Sequence, residues 1–344
     1  MADGRHPLEL TRDQILAHRR QVQALDRRLS PGQDSLRRAA APGLQDSVPR
    51  SALHALHARV QDVAPDAWED PSLVQVWGPR HVAYVVPEGE HLPFTLGRLP
   101  ETGRIRARAE DLARRMEAHL AGRRLPMDAV GEALGVHPNA LRYASLTGTV
   151  LIRWDGARQA TLRTVPRARL SPAEALQQLV RRHLHFLGPS TVDTFARWGG
   201  VDRARAAAAF AALALELLAV RTPLLGECWI LAEDEPAFRA APAAPPADAR
   251  LLPSGDPYYL LWGADRDLLV PDARRRDELW TSRVWPGALL VRGEVAGTWR
   301  RAKNVVEASP WRRLSDDERR AVEREAASLP LPEVTAPATV RWTA

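Results

Sequence analysis

The sequence predicts a mainly α-helical fold with β-hairpin wings: three tandem winged-helix modules followed by a small β-rich C-terminal domain. Three observations lead there. A stretch with helical apolar periodicity is followed, three times over, by two short runs of strand character. In the second repeat those runs flank Asp155-Gly156, the strongest short hairpin signal. Beyond an Ala- and Pro-rich stretch the pattern becomes strand-like to near the end of the chain. The expected divisions are 1–100, 101–168, 169–240 and 241–344.

In the first repeat, Leu8, Ile15, Val22 and Leu25 fall on one helical face, and a short helix is expected over 33–40. The break Ala41-Pro42-Gly43 precedes a helix for which Pro49 suits the first turn, with Leu53, Leu56 and Val60 on a shared face. Residues 73–86 are rich in Val, Trp and Tyr and are interrupted by Gly78-Pro79, which predicts two strands and a turn. The second repeat carries the stripe Ile105, Ala109, Leu112, Met116 and Leu120, shorter helices at 127–134 and 138–146, and a hairpin of 149–154 with 157–165. The third opens on Ser171-Pro172-Ala173-Glu174, a complete capping box. Ser190 and Asp193 form a second box, Gly199-Gly200 stops that helix, and Asp202 caps the next. Strands are expected near 218–221 and 228–231. Residues 233–250 read as a linker. A hairpin follows across Arg292-Gly293, Ser315 and Glu318 cap a closing helix, and the last residues are expected to be loosely held.

Lys plus Arg total 48 against 42 for Asp plus Glu, a formal charge of +6, and the basic residues are almost all arginine, with Lys303 the single lysine. Arginine makes bidentate phosphate contacts that lysine does not, but codon composition alone also raises arginine, so it informs only where it clusters. It clusters in the second repeat, at Arg104, Arg106, Arg108, Arg114, Arg115, Arg123 and Arg124, and in its hairpin at Arg153, Arg158 and Arg163. Cys228 is the only cysteine, which excludes an intramolecular disulfide and a Cys-based zinc or iron–sulfur site. No cofactor and no metal are expected. The N-terminus carries no apolar signal core and no stretch has the apolar length of a membrane span, so a cytoplasmic protein is expected.

The segment Gly43-Leu44-Gln45-Asp46-Ser47, the helix from Pro49 to Val60, Trp68-Glu69-Asp70 and the run from Leu73 to Trp77 together resemble the first module of the AlkZ-like (YcaQ-like) winged-helix DNA glycosylases. The segment 190–200 is similar to their third module. Leu251-Leu252-Pro253 with Asp256, and Gly297-Thr298-Trp299, are similar to their C-terminal domain. The resemblance implies a monomer that binds double-stranded DNA and excises bulky N7-alkylated purines in DNA repair or self-resistance. It also implies a catalytic motif of Gln, an apolar residue, then Gln or Asp. Gln45 matches its first position, Asp46 replaces the apolar residue, and Ser47 replaces the last.

The chemistry asks little of an acid, because an N7-alkylated purine is already cationic and leaves through an oxocarbenium-like transition state. A buried amide such as Gln45 orients water by accepting from it and donating elsewhere. Ser47 holds the same water through one hydroxyl, and Asp46 supplies negative charge or a base if the loop turns it inward. Each has a structural alternative: Gln45 as a loop amide, Asp46 or Ser47 as the N-cap of the following helix. Arg50, Arg80, His81, Arg153, Arg158 and Arg163 are the candidate DNA contacts. Trp77 and Tyr84 either wedge into a duplex or pack in the core. His54 and His57 lie on one helical face, read as solvated or DNA-facing rather than metal-binding. Two other functions remain open: a lesion-binding protein without catalysis, and a winged-helix transcriptional regulator.

Overall fold

The computed structural model describes residues 8–156, 159–240, 242, 245–332, 334 and 336–343. A short strand β1 (Leu8–Glu9) leads into α1 (Arg12–Val22), whose start is fixed by a reciprocal capping box of Thr11 with Gln14. Next come α2 (Gln33–Ala40), β2 (Leu44–Gln45) and α3 (Ser51–Arg59). The hairpin β3 (Leu73–Trp77) and β4 (Ala83–Pro87) then forms, antiparallel with Gln75 opposite Val85, and β2 lines its outer edge with Gln45 opposite Tyr84. Pro49 lies just before α3 rather than in its first turn, because Arg50 takes a left-handed backbone (φ 66°) as the helix N-cap.

The second unit comprises α4 (Arg104–Leu120), β5 (Leu125–Pro126), α5 (Met127–Ala133), a 3-10 segment Pro138–Thr147, β6 (Val150–Arg153) and β7 (Thr161–Thr164). The apolar stripe of α4 is buried from Ala109 to Leu120, but Ile105, in the first turn, is exposed. The hairpin is not closed by a two-residue Asp155-Gly156 turn: Arg153 pairs with Thr161, leaving a longer connection. Trp154 leaves the ladder because its amide donates to the Gln75 side chain (2.6 Å), and Gly156 lies so close to Pro49 that a Cβ there would sit 2.6 Å from the ring. Through Gln75 opposite Ile152, β6 joins β3, so the first two hairpins form one sheet in the order β2-β4-β3-β6-β7-β5.

In the third unit α6 (Pro172–Leu187) carries the expected Ser171/Glu174 box, followed by α7 (Val192–Gly199), α8 (Arg203–Ala212) capped by Asp202, β8 (Leu217–Thr222) and β9 (Gly226–Leu231). Ser190 does not cap α7. It is buried and engages His183 Nε2 (2.9 Å), and Thr191 accepts from the Thr194 amide instead. Leu8 is a strand residue, paired in parallel with Val220 of β8, so the chain's start adds a third strand to this hairpin.

The stretch expected as a linker holds α9 (Glu235–Arg239), anchored by Phe238, which is buried and stacks on His18 at 3.8 Å. Then come β10 (Ala249–Leu252), α10 (Ala264–Leu269), α11 (Ala273–Leu279), β11 (Gly287–Val291), β12 (Glu294–Ala302), β13 (Val305–Pro310), α12 (Asp316–Ala327) and β14 (Thr339–Trp342). The five strands form one sheet in chain order. The chain's end is held: β14 pairs in parallel with β13, Val340 opposite Val306, which gives the terminal segment backbone partners. One core runs from Val76 and Tyr84 through Leu179 and Phe195 to Tyr258 and Trp280. Buried ion pairs tie the C-terminal part to it. Arg59 grips Asp256 through two bonds (2.7 and 2.8 Å), and Arg19 meets Asp265 at 2.6 Å. Among the described residues no helix is long and apolar enough to cross a membrane.

Candidate functional site

The loop bearing Gln45, Asp46 and Ser47 is held from several sides. Gly43 has φ +82°, and a Cβ there would stand 2.4 Å from the Phe94 ring, so only glycine lets the chain turn against that ring into β2. The strand period of two then sends Gln45 and Ser47 to one side and Asp46 to the other. Gln45 Nε2 donates to Ser47 Oγ (2.6 Å), while its Oε1 accepts from Arg80 (3.2 Å) and from the Tyr84 hydroxyl (3.5 Å). Arg80 is thus the carbonyl's closer partner, with the Tyr84 hydroxyl at the outer limit of hydrogen-bond length, and the amide is steadied between them and Ser47. Ser47 keeps its hydroxyl proton and one lone pair. Opposite, Gly255 (φ +76°) lies where a Cβ would meet Gln45 Nε2 at 2.7 Å.

Arg80 comes from the turn between β3 and β4, where it and His81 both hold positive φ (59° and 57°). Two consecutive non-glycine residues in that region store strain, which persists only where the surroundings impose it. Here they do. Buried Arg98 donates to the carbonyls of Gly78 and Gly199, Arg80 donates to Trp198 O (3.3 Å), and the Arg80 guanidinium lies 4.4 Å from the Trp262 ring centre. Burial pushes the His81 imidazole down to about 4, helped by the charges of Arg98 and Arg142, so His81 is neutral at physiological pH.

Asp46 is 1% exposed. One carboxylate oxygen accepts from the Ala52 amide at the start of α3 (3.1 Å), the other from Gln75 Nε2 (2.9 Å), and Gln75 in turn holds both backbone groups of Trp154. Burial raises its pKa to about 6, against the lowering from the Ala52 amide, Arg50 and Gln75. Neither Asp46 nor Ser47 is the expected N-cap, a place taken by Arg50; the Asp46 carboxylate instead reaches forward to the Ala52 amide in the first turn of α3.

Two cavities meet at this loop. One of about 580 Å³ lies between the first two units and is walled by Asp46, Ser47, Trp77, His81, Arg142 and Trp154. The other, about 360 Å³, opens toward the C-terminal part and is walled by Gln45, Ser47, Arg80, Trp262, Val284 and Trp285. Ser47 and Val82 line both, and Asp46 is the one carboxylate among the residues lining either.

The remaining candidates distribute differently. Arg50 stacks 3.9 Å over Trp68. Arg153 pairs with Glu69 and also faces Trp68. Arg153 and Arg163 line one cleft with Arg124, whose pKa is lowered by burial and by these two charges, a local excess of positive potential. Arg158 lies outside the described residues. Several α4 arginines are spent internally, Arg106 on Glu110 and Arg114 on Asp111. His54 and His57 are not solvated: both are buried, and burial lowers them to about 3 and about 2. Trp77 and Tyr84 are core residues, not wedges. Among the described residues no cluster of three or more His, Cys, Asp or Glu could hold a metal. Gln75, Trp154, Gly255 and Trp262 escaped the sequence reading, because only tertiary folding brings them to the loop.

No curated protein matches the chain. Among solved structures, the Streptomyces sahachiroi DNA glycosylase AlkZ superposes with a TM-score of 0.80, covering 98% of this chain and 100% of that one at 20% identity, a likeness of fold. A family model described as DNA glycosylase AlkZ-like matches residues 36–330, which take in the loop, both cavities and most of the C-terminal sheet. The chain therefore belongs to the AlkZ-like DNA glycosylase family.

Proposed function

We propose that the protein is a monofunctional DNA glycosylase. It uses its three helix-plus-hairpin units as winged helices to clasp duplex DNA, and it hydrolyses the N-glycosidic bond of bulky N7-alkylated purines. The observation that carries this reading is Asp46, a buried carboxylate with a pKa of about 6 beside Ser47 at the junction of two cavities. At neutral pH it is mostly ionised. It faces the two requirements of the reaction, a partner for the positive charge on the sugar and an acceptor for the proton of the attacking water. Ser47, steadied by Gln45, supplies the hydroxyl that holds that water. Gln45, its acceptor occupied by Arg80 and Tyr84, positions Ser47 rather than touching the nucleophile. The cluster of Arg124, Arg153 and Arg163, with Arg50 nearby on Trp68, supplies phosphate contacts.

A second reading is supported by the two bonds that Asp46 makes to Ala52 and Gln75, which suit a purely structural carboxylate. Under it the protein binds alkylated duplex and shields it without cutting. Single-turnover excision by wild type, Asp46→Ala, Ser47→Ala and Gln45→Ala separates the two. Loss of a preorganised polar group at the reacting centre costs about a hundred- to a thousand-fold, so Asp46→Ala should be the slowest variant. Equal rates for Asp46→Ala and wild type would remove Asp46 from the chemistry, and a wild type that prefers alkylated duplex but releases no base would establish the shielding role.

A further inference from the structure

Beside the Gln45 cleft, the segment 281–286 connects α11 to β11 and projects Arg283 and Val284 outward. Val284 is 55% exposed, and it lines both the cleft of Gln45 and Ser47 and a neighbouring one with His54 and Trp299. A single exposed valine is ordinary on a protein surface. This one differs because the backbone beneath it is fastened at several points. Val284 O accepts from Arg300 (3.1 Å) and from Thr281 Oγ1 (3.2 Å), and the Tyr259 hydroxyl shares its one proton between Pro286 O (2.8 Å) and Pro253 O (2.7 Å). Trp280 Nε1 donates to Tyr259 O (3.0 Å), and Trp285 lies between Tyr259 and Arg266, 6.2 Å and 5.3 Å away. A stiff apolar tip is thereby presented to solvent at the rim of the candidate catalytic cleft. Its surroundings are cationic, with Arg283, Arg300, Arg301 and Arg80 lining the same two clefts.

We propose that Val284 is a wedge that enters the base stack of duplex DNA beside the alkylated nucleotide, with Arg283 against the flanking phosphate. Resting on the glycosylase reading, this assigns the segment the task of opening the stack so that the target sugar reaches Ser47 and Asp46. An apolar side chain pushed between base steps offsets the stacking that it breaks with its own burial, and flanking arginines hold the strand in place. The loop's hydrogen bonds make this economical, since little conformational freedom is lost when the tip is inserted.

The test uses the full chain and a duplex with a bulky N7-alkylguanine next to 2-aminopurine, whose fluorescence rises when it is unstacked. Wild type should raise the fluorescence on binding and release the alkylated base. Val284→Ser should lose most of the fluorescence rise and slow excision about ten-fold. Val284→Leu, which keeps an apolar tip, should restore both signals. If Val284→Ser matches wild type in fluorescence, the wedge is overturned, whatever happens to excision. If wild type unstacks the neighbour through Val284 but releases no base, the wedge stands and the hydrolytic reading fails. If wild type does neither, both fail.

Discussion

If Asp46 acts as the ionised base, excision must rise with pH through its titration. The perturbation is pH alone, and the structure sets the midpoint. Burial lifts the carboxyl from 3.8 to about 6, and the neighbours able to lower it again are the Ala52 amide, Arg50 and Gln75. DNA phosphates add negative potential when bound, so the inflection in the complex lies at or somewhat above that value. Below it the ionised share falls roughly ten-fold per pH unit, which makes excision about ten-fold slower at pH 5 than on the plateau. His81, which lines the same cavity, is held near 4 and stays neutral across the window, so it does not mask the step. The assay is single-turnover release of free alkylated base with protein in excess over DNA, the uncatalysed loss being subtracted at each pH. Asp46→Asn should flatten the profile. That variant is not silent, since its amide nitrogen would face Gln75 Nε2 as donor against donor and loosen Trp154, so its folding must be followed by circular dichroism. A wild-type rate that is flat, or that falls as pH rises, would refute the reasoning, the latter making Asp46 an acid toward the leaving base.

The same shift has a stability consequence. Because the folded pKa of Asp46 is raised, its contribution is favourable below about pH 4 and is lost as pH rises through about 6, by about 3 kcal/mol in all. The buried histidines, lowered by burial, gain stability with pH over the same window. The Asp46 contribution is therefore read as the difference between wild type and Asp46→Asn in urea titrations at several pH values, and a difference that does not change with pH would contradict the burial account. Arg59→Met leaves the Asp256 carboxylate without its ion partner in the core and should cost about 3–5 kcal/mol in thermal or urea unfolding. Gly255→Ala should slow excision without unfolding the chain, because its methyl group would displace Gln45 and strain a backbone at φ +76°. DNA affinity should fall steeply with salt, and charge reversal at Arg153 and Arg163 should weaken it alike on all sequences. Borohydride should trap no covalent adduct, since Lys303, the one lysine, lies in the turn between β12 and β13.

Where local chemistry fixes an element, the sequence was sufficient. Ser171 with Glu174, Asp202 and Ser315 with Glu318 each start the helices they announce, and the runs expected as strands within 73–86 and near 218–221 and 228–231 are strands. Where tertiary contacts compete, it was not. Ser190 is drawn away from capping by His183, Trp154 is drawn off its hairpin by Gln75, and Leu8 finds a strand partner more than two hundred positions along the chain. The site follows the same rule. The loop 45–47 stands out through its flanking Pro and Gly residues. What each side chain can do depends on Arg80, Tyr84, Gln75 and Gly255, whose arrival from other elements leaves no local pattern. On the proposed reading, these neighbours make Gln45 a support for Ser47 rather than the expected water ligand, and bring Asp46 forward.

The central claim is that this loop cuts a glycosidic bond, and the most direct measurement is product identity. Wild-type protein is incubated with duplex DNA containing one bulky N7-alkylguanine, and the small-molecule fraction and the strand are analysed by mass spectrometry. The account predicts time-dependent release of the intact modified base and an unbroken strand carrying an abasic site, with no release from undamaged DNA. A folded, DNA-bound protein that leaves the modified base attached would contradict it.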